Sequence, residues 1–166
     1  MAANVNDLRV GQGFDVHRYS DDPNRVLVLG GEHFPEHRGL QGHSDADVIS
    51  HACTDAILLA AGLGDIGSMF PDNAPSLAGA DSVELLKKAA MALRDAGWRV
   101  INVSCIVVLD DPKIASKREV IQKRLSKAVA APVTVAGRRS EGVGALGRNE
   151  GVAAWAVALV SSESPL

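Results

Sequence analysis

Asp15-Val-His17 puts a carboxylate and an imidazole two residues apart. In a strand, positions i and i+2 face the same way, so the two side chains converge. His51 and Asp55 stand four apart in a stretch of helical periodicity, with Asp47 one turn before His51. One Asp and two His make a good ligand set for zinc, and three protein ligands leave a fourth position for substrate, as in catalytic sites. The same residues would also serve as a surface pair and an exposed helix face. Asp-x-His alone is common and favours that plainer reading; the glycines and polar residues crowded around it strengthen the metal one.

Other segments suit anions and hydroxyls. Gly42-His-Ser-Asp-Ala-Asp47 leads into a helix N-terminus, where free N–H groups and the dipole favour phosphate. Capping explains Ser44 but leaves His43 unexplained. Gly64-Asp-Ile-Gly67 and Phe70-Pro-Asp72 offer Asp65 and Asp72 on backbone stiffened by Gly and Pro; a plain rigid loop is an equal reading. Asp110-Asp-Pro-Lys113 follows a strand, where backbone groups could read a base edge and Lys113 could meet a phosphate, or simply form a turn. Arg138-Arg-Ser-Glu141 and Gly147-Arg-Asn-Glu150 flank a Gly-rich turn. Their guanidinium forks suit phosphate, and a salt-bridge cluster with Glu141 and Glu150 would use the same residues. Arg139 and Glu141, two apart on an extended segment, are expected to share a face.

The elements that must position these groups follow from periodicity. Strands are expected at Leu8–Arg18 (Val10, Phe14 and Val16 as its apolar positions), Val26–Gly31, Trp98–Leu109, Pro132–Ala136 and Val152–Val160. Gly11 and Gly13 inside the first strand suggest a bulge, or close approach by a ligand or another backbone. Helices are expected at Ser44–Ala61, opened by an imperfect capping box from Ser44 to Asp47, at Asp81–Gly97 with Asp81 as N-cap, and at Ile114–Ala130. Glu32–Gly42, Gly62–Ala80 and Gly137–Gly151 read as loops. In Trp98–Leu109, Ile101, Val103, Cys105, Val107 and Leu109 are expected on one face. The order β-β-α-α-β-α-β-β predicts one α/β (α+β) domain over residues 1–166, a mixed sheet of four or more strands with helices on one face.

Composition narrows the function classes. The chain has 166 residues, enough for one domain at ~150 residues each. Apolar residues are 46%, enough for a core without disulfides. Net charge is −3, and the basic stretch Lys117–Lys127 lacks interleaved aromatics, so no nucleic-acid partner is expected. No 18-residue apolar run occurs, so no membrane span is expected. Met1–Val10 lacks the apolar block of a signal peptide, so a cytoplasmic location is expected. Two distant cysteines, Cys53 and Cys105, exclude a disulfide framework and a Cys-based zinc site. No HExxH occurs, which counts against a zinc hydrolase. Val152–Val160 has almost no polar alternation, so burial of both faces is expected.

Taken in order, Gly13-Phe-Asp-Val-His17, Leu29-Gly-Gly31, Gly42-His-Ser-Asp-Ala-Asp-Val48, His51-Ala, Thr54-Asp-Ala56, Gly64-Asp-Ile-Gly67, Phe70-Pro-Asp72, Gly79-Ala-Asp-Ser82, Pro112-Lys113 and Gly147-Arg148…Glu150-Gly151 are far more specific than any one alone. Over residues 9–160 this pattern resembles the 2-C-methyl-D-erythritol 2,4-cyclodiphosphate synthase family of the non-mevalonate isoprenoid pathway. The resemblance implies a homotrimer with sites between neighbouring subunits, a zinc ion in each, and Mg2+ or Mn2+ on the substrate's diphosphate. It implies a cytidine diphosphate substrate, 4-diphosphocytidyl-2-C-methyl-D-erythritol 2-phosphate, whose own 2-phosphate closes the ring and expels CMP. Carried over residue by residue, it assigns Asp15, His17 and His51 to zinc and Glu141 to the second metal. Asp15, Val16, His17, His43 and Ser44 would meet substrate, with His43 as transition-state stabiliser. Asp65, Ile66, Gly67, Phe70, Pro71, Asp72, Asn73 and Ala74 map to the erythritol stretches. Leu109, Asp110, Asp111, Pro112, Lys113, Ile114 and Ala115 map to the cytidine pocket. Arg138, Arg139 and Ser140 replace a threonine triplet, so that Arg139 stands at the position of a catalytic threonine; Ala145 replaces a common Phe, and Arg148 is retained. A non-catalytic trimeric homologue that holds the diphosphate is the competing reading, because of Arg139.

Overall fold

The protein, described over residues 8–162, is a computed structural model. The leader reading therefore rests mostly on residues outside this range. In chain order the elements are strand β1 (Leu8–Arg18), the hairpin β2 (Val26–Leu29) and β3 (Glu32–Arg38), helix α1 (Val48–Ala61), the single turn α2 (Ile66–Met69), helix α3 (Ser82–Asp95), strand β4 (Trp98–Val108), helix α4 (Arg118–Val129), strand β5 (Val133–Arg138), the turn α5 (Gly144–Gly147) and strand β6 (Gly151–Ser162). The main sheet has the order β1-β6-β4-β5. The β1–β6 and β6–β4 pairs are antiparallel and β4–β5 is parallel, so the sheet is mixed as expected. No helix among the described residues is long and apolar enough to cross a membrane.

Helix α1 lies across β1 and β6, and the sequence makes room for it. A Cβ on Gly13 would sit 1.9 Å from the Ala52 carbonyl oxygen, and one on Gly11 would sit 2.1 Å from that of Ala56. The strand glycines are thus explained by close approach of another backbone rather than a bulge. This packing also brings His51, the neighbour of Ala52, down onto the strand residue Asp15. Gly13→Ala is expected to push the helix off the strand and cost about 2 kcal/mol, measurable by urea denaturation.

Asp47 secures the start of α1. Its carboxylate accepts from Ile49 and Ser50 N–H as N-cap, from the Ser50 hydroxyl at 2.7 Å, and from Gly30 and Gly31 N–H at 2.8 Å each. Complete burial, with Asp45 nearby, pushes its carboxyl up despite these donors. One side chain therefore ties the β2–β3 turn to the helix.

Several expectations need correction. The helix starts at Val48, not Ser44, because Ala46 takes a left-handed φ of 58° and interrupts any earlier turn. Glu32–Arg38 is a strand, although Pro35 and its charged residues read as loop; it pairs only with β2, and an edge hairpin tolerates both. Gly62–Ala80 contains α2 and a 3-10 turn at Pro75–Leu77. Ile114–Ala130 is a 3-10 turn, Ile114–Ser116, followed by α4. In β4 a register shift between Val100 and Asn102 moves Ile101 out of the buried row, which Val100 joins instead. Along β6, Ala154, Ala156 and Ala158 are buried under α1, but Trp155 and Val157 on the other face are exposed. They continue a row with Val10, Phe14 and Val16, so the apolar positions of β1 face away from the chain's own core.

Candidate active site

The expected ligands converge. His51 Nδ1 lies 3.0 Å and His17 Nε2 3.2 Å from the same Asp15 oxygen, Oδ2. The three can each offer one ligand atom within 4.8 Å of the others, and among the described residues they form the one such group. Asp15 and His17 are partly buried and His51 is buried. Desolvation alone would push the Asp15 carboxyl up, but hydrogen bonds and charge from the two imidazoles hold it down at about 2. Burial likewise works against the His17 imidazolium, yet Asp15 raises its pKa overall.

The far nitrogens show that the set fits a cation. His17 Nδ1 lies 2.5 Å from the Gln41 carbonyl oxygen, which can only accept, so Nδ1 carries the proton. Neutral His17 then turns a lone pair from Nε2 toward the Asp15 carboxylate. Two electron-rich groups in contact call for a proton or a metal ion between them. These donors, one carboxylate and two imidazoles with open space alongside, are those of a divalent-cation site with room for substrate.

That space is a cavity of about 300 Å3 lined by the triad with Gly42, His43, Ser44, Ile66, Gly67, Phe70, Asp72, Leu77 and Leu85. Half of the expected erythritol stretch, Ile66, Gly67, Phe70 and Asp72, therefore lines the same cavity as the metal ligands. Asp65 instead caps α2, accepting from Ser68 N–H at 2.7 Å. Asp55 accepts from Ile66 N–H at 2.7 Å, which positions α2 and keeps Asp55 out of the ligand set. His43 Nε2–H donates to the Ala74 carbonyl at 2.9 Å, so it holds the 71–80 loop as well as bordering the cavity. Val16 points to the opposite, exposed face. Pro71, Asn73 and Ala74 are not among the residues that line the cavity.

A second cavity, of about 210 Å3, is lined by Leu109, Asp110, Pro112, Lys113, Ile114, Ala115, Arg118, Gly137, Arg138 and Arg139. It gathers the expected cytidine segment and both replacement arginines. Ser140 donates its hydroxyl and N–H to Asp110, holding that carboxyl low and the loop in place. Asp111 turns away and meets His37 Nε2 at 2.8 Å. Arg118 was missed: within a basic helix it reads as solvated, but the 3-10 turn before α4 aims it here. Arg139 and Glu141 do not share a strand face, because β5 ends at Arg138 and Glu141 has a φ of 54°. Glu141 lies outside the triad. Arg148 pairs with Glu150 at 2.6 Å, as the salt-bridge reading had it, and Ala145 sits in α5.

The profile of the YgbB family matches residues 8–161. The chain belongs to the YgbB family. Among curated members, the 2-C-methyl-D-erythritol 2,4-cyclodiphosphate synthase of Aromatoleum aromaticum is 48% identical over 156 residues, spanning 92% of this chain and 93% of its own. That of Rubrobacter xylanophilus is also 48% identical, over 92% and 94%. Among solved structures, the Plasmodium falciparum IspF CDP complex superposes with a TM-score of 0.81 at 30% identity, covering 97% of this chain and 100% of that one. The bifunctional IspDF of Campylobacter jejuni gives 0.87 at 36% identity, over 93% of this chain and 42% of that one.

Proposed function

We propose that this protein converts 4-diphosphocytidyl-2-C-methyl-D-erythritol 2-phosphate to 2-C-methyl-D-erythritol 2,4-cyclodiphosphate with release of CMP. The observation that carries the reading is the convergence of Asp15, His17 and His51 in a cavity shared with His43 and Asp72. An oxygen of the substrate's 2-phosphate attacks the β-phosphorus. As that P–O bond forms, the bond from the β-phosphorus to the bridging oxygen breaks, and this oxygen leaves with the electron pair on CMP. The attacking group belongs to the substrate, so the protein needs no nucleophile of its own. Its work is to align and neutralise two phosphates. Asp15, His17 and His51 would hold zinc, and Glu141 would help hold Mg2+ or Mn2+. Bound there, the cations supply Lewis-acid stabilisation of phosphate charge. His43 and Ser44 border the phosphates, Asp72 and the Ile66–Gly67 backbone receive the erythritol, and the Leu109–Ala115 loop receives the cytidine. CMP and the cyclic diphosphate, followed by 31P NMR on purified protein with substrate and both metals, are the expected products. Tight binding of substrate without CMP release would overturn the reading in favour of the non-catalytic homologue.

Two features support a homotrimer with sites shared between copies. The sheet face bearing Val10, Phe14, Val16, Ile106, Trp155 and Val157 is apolar and exposed in the single chain. The metal residues Asp15 and His17 lie on the edge strand β1, whereas the nucleotide residues follow β4 and β5, two to three strand spacings or ~10–14 Å away. The two cavities have no lining residue in common. A neighbouring copy can bring its nucleotide pocket to this chain's metal site.

Arg139 lines the nucleotide cavity, which suits contact with the diphosphate or the α-phosphate of the departing CMP. Removing a charged hydrogen bond to developing phosphate charge costs on the order of 10²-fold in rate. Arg139→Ala is expected to lose that much kcat. Parental turnover in both Arg139→Ala and Arg139→Thr would show that the guanidinium has no catalytic part. Restoration by Thr alone would show that a hydroxyl suffices.

A further inference from the structure

We propose that Asp45 and Ser82 are positioning residues that fix the proton on His51 Nε2 and so hold its Nδ1 open for a cation; the inference rests on the metal reading of the triad. His51 Nε2 lies 2.8 Å from Ser82 Oγ and 3.2 Å from Ser44 Oγ. Ser82 is fully buried, and Ser44 and His51 are nearly so. The Ser82 hydroxyl also makes a short bond to Asp45 Oδ1, and its backbone N–H donates to Asp45 Oδ2 at 3.1 Å. Asp45 is itself fixed by donating its N–H to the Ala80 carbonyl at 3.1 Å.

Proton bookkeeping gives this chain a direction. An ionised carboxylate only accepts, so the single Ser82 hydroxyl proton goes to Asp45. Ser82 Oγ can then only accept from His51, which puts the hydrogen on Nε2, while the Ser44 hydroxyl, 3.2 Å from the same nitrogen, has Ser82 Oγ at 3.3 Å as an acceptor for its own proton. Neutral His51 is left with a lone pair on Nδ1, 3.0 Å from Asp15 Oδ2. Without Asp45, Ser82 could donate to Nε2 instead. Nδ1–H would then donate to Asp15, a self-satisfied pair that must be broken before any cation enters. Asp45 therefore selects between an open and a closed ligand set. His17 reaches the same state more simply, through the Gln41 carbonyl. Partners of this kind, behind a ligating imidazole, are generally worth 10–100-fold in metal affinity.

The test is zinc affinity by chelator competition on Ser82→Ala, Ser82→Thr and Asp45→Ala, with the His51 tautomer read by 15N NMR of the metal-free proteins in alkaline buffer. Ser82→Ala keeps the backbone N–H and the Asp81 cap of α3, so its fold is expected to survive. The expected result is a zinc Kd weaker by roughly 10–100-fold in the Ala variants, near-parental affinity in Ser82→Thr, and a shift from Nε2–H to Nδ1–H in Asp45→Ala. Parental zinc affinity in Ser82→Ala, or an unchanged tautomer in Asp45→Ala, overturns the proposal. His51→Ala separates the two levels. If it still binds zinc as the parent does, the metal reading itself fails. If it loses zinc while the Ser82 and Asp45 variants keep parental affinity, only the relay fails.

Discussion

His51→Ala is expected to abolish zinc binding and turnover together while leaving the fold and the assembly in place. The imidazole is one of the three proposed ligands, and a site left with two holds a cation far more weakly against water. Loss of metal stabilisation of two phosphates is expected to cost at least about 10³-fold in kcat/KM. The structural loss is smaller, because His51 sits at the edge of α1's buried surface, against a cavity, rather than in the aliphatic core. Elemental analysis of the purified variant gives the first check, and a full complement of zinc would refute the ligand assignment. Acid unfolding of the metal-free proteins gives a second. In the parent, the Asp15 carboxyl titrates at about 2 against an ordinary 3.8. A depressed pKa stabilises the folded state above the unfolded value, and that stability is lost as pH falls from about 4 to about 2. His51→Ala removes one of the two imidazoles that depress it, so the variant should show a shallower loss over that window.

The residues that carry chemistry were easier to read than the elements that hold them. Asp15 and His17 needed only the two-residue period of a strand, and His51 only a helix somewhere after Gly42. Their spacing survives an error of several residues in the helix start. The start itself was illegible because it depends on the left-handed Ala46 and on Asp47 reaching back to Gly30 and Gly31, a contact across 16 and 17 residues of sequence. β3 was hidden because edge-strand chemistry, with Pro35 and alternating His and Glu, looks like a loop. Asp45 lies inside the Ser44–Asp47 capping box and Ser82 beside the Asp81 cap, and neither carries a sequence signal of its own; Ser82 opens α3. Their second task exists only because the 43–45 segment and the start of α3 fold against each other. Arg118 was hidden in a basic helix face. The helix start and the Asp45–Ser82 pair depend on long-range contacts that no local period encodes, whereas β3 and Arg118 were hidden by local chemistry that reads as loop and as solvated helix.

The row of apolar side chains on the open sheet face leads to the other large expected effect. Val10 is 68% exposed and Val157 47%, and the Phe14 and Trp155 rings meet at a tilt with centroids 4.9 Å apart on the same surface. A patch of this kind on a small protein marks an interface. In a closed three-fold assembly each substitution appears three times around one axis. Val157→Asp would bring three carboxylates into an apolar centre of the proposed trimer, a cost of several kcal/mol per buried charge. The folded chain itself has no such objection, since Val157 does not face its core. The expected result is a shift in light scattering from three times 17.4 kDa to 17.4 kDa, with the far-UV spectrum of the parent kept. Turnover should fall with the assembly, because in the proposed trimer a neighbouring copy brings its nucleotide cavity to this chain's metal cavity. Zinc should still bind, since Asp15, His17 and His51 come from one chain. A monomeric Val157→Asp that turns over at the parental rate would show that one chain builds the whole site, and a parent that is monomeric at micromolar concentration would remove the interface altogether.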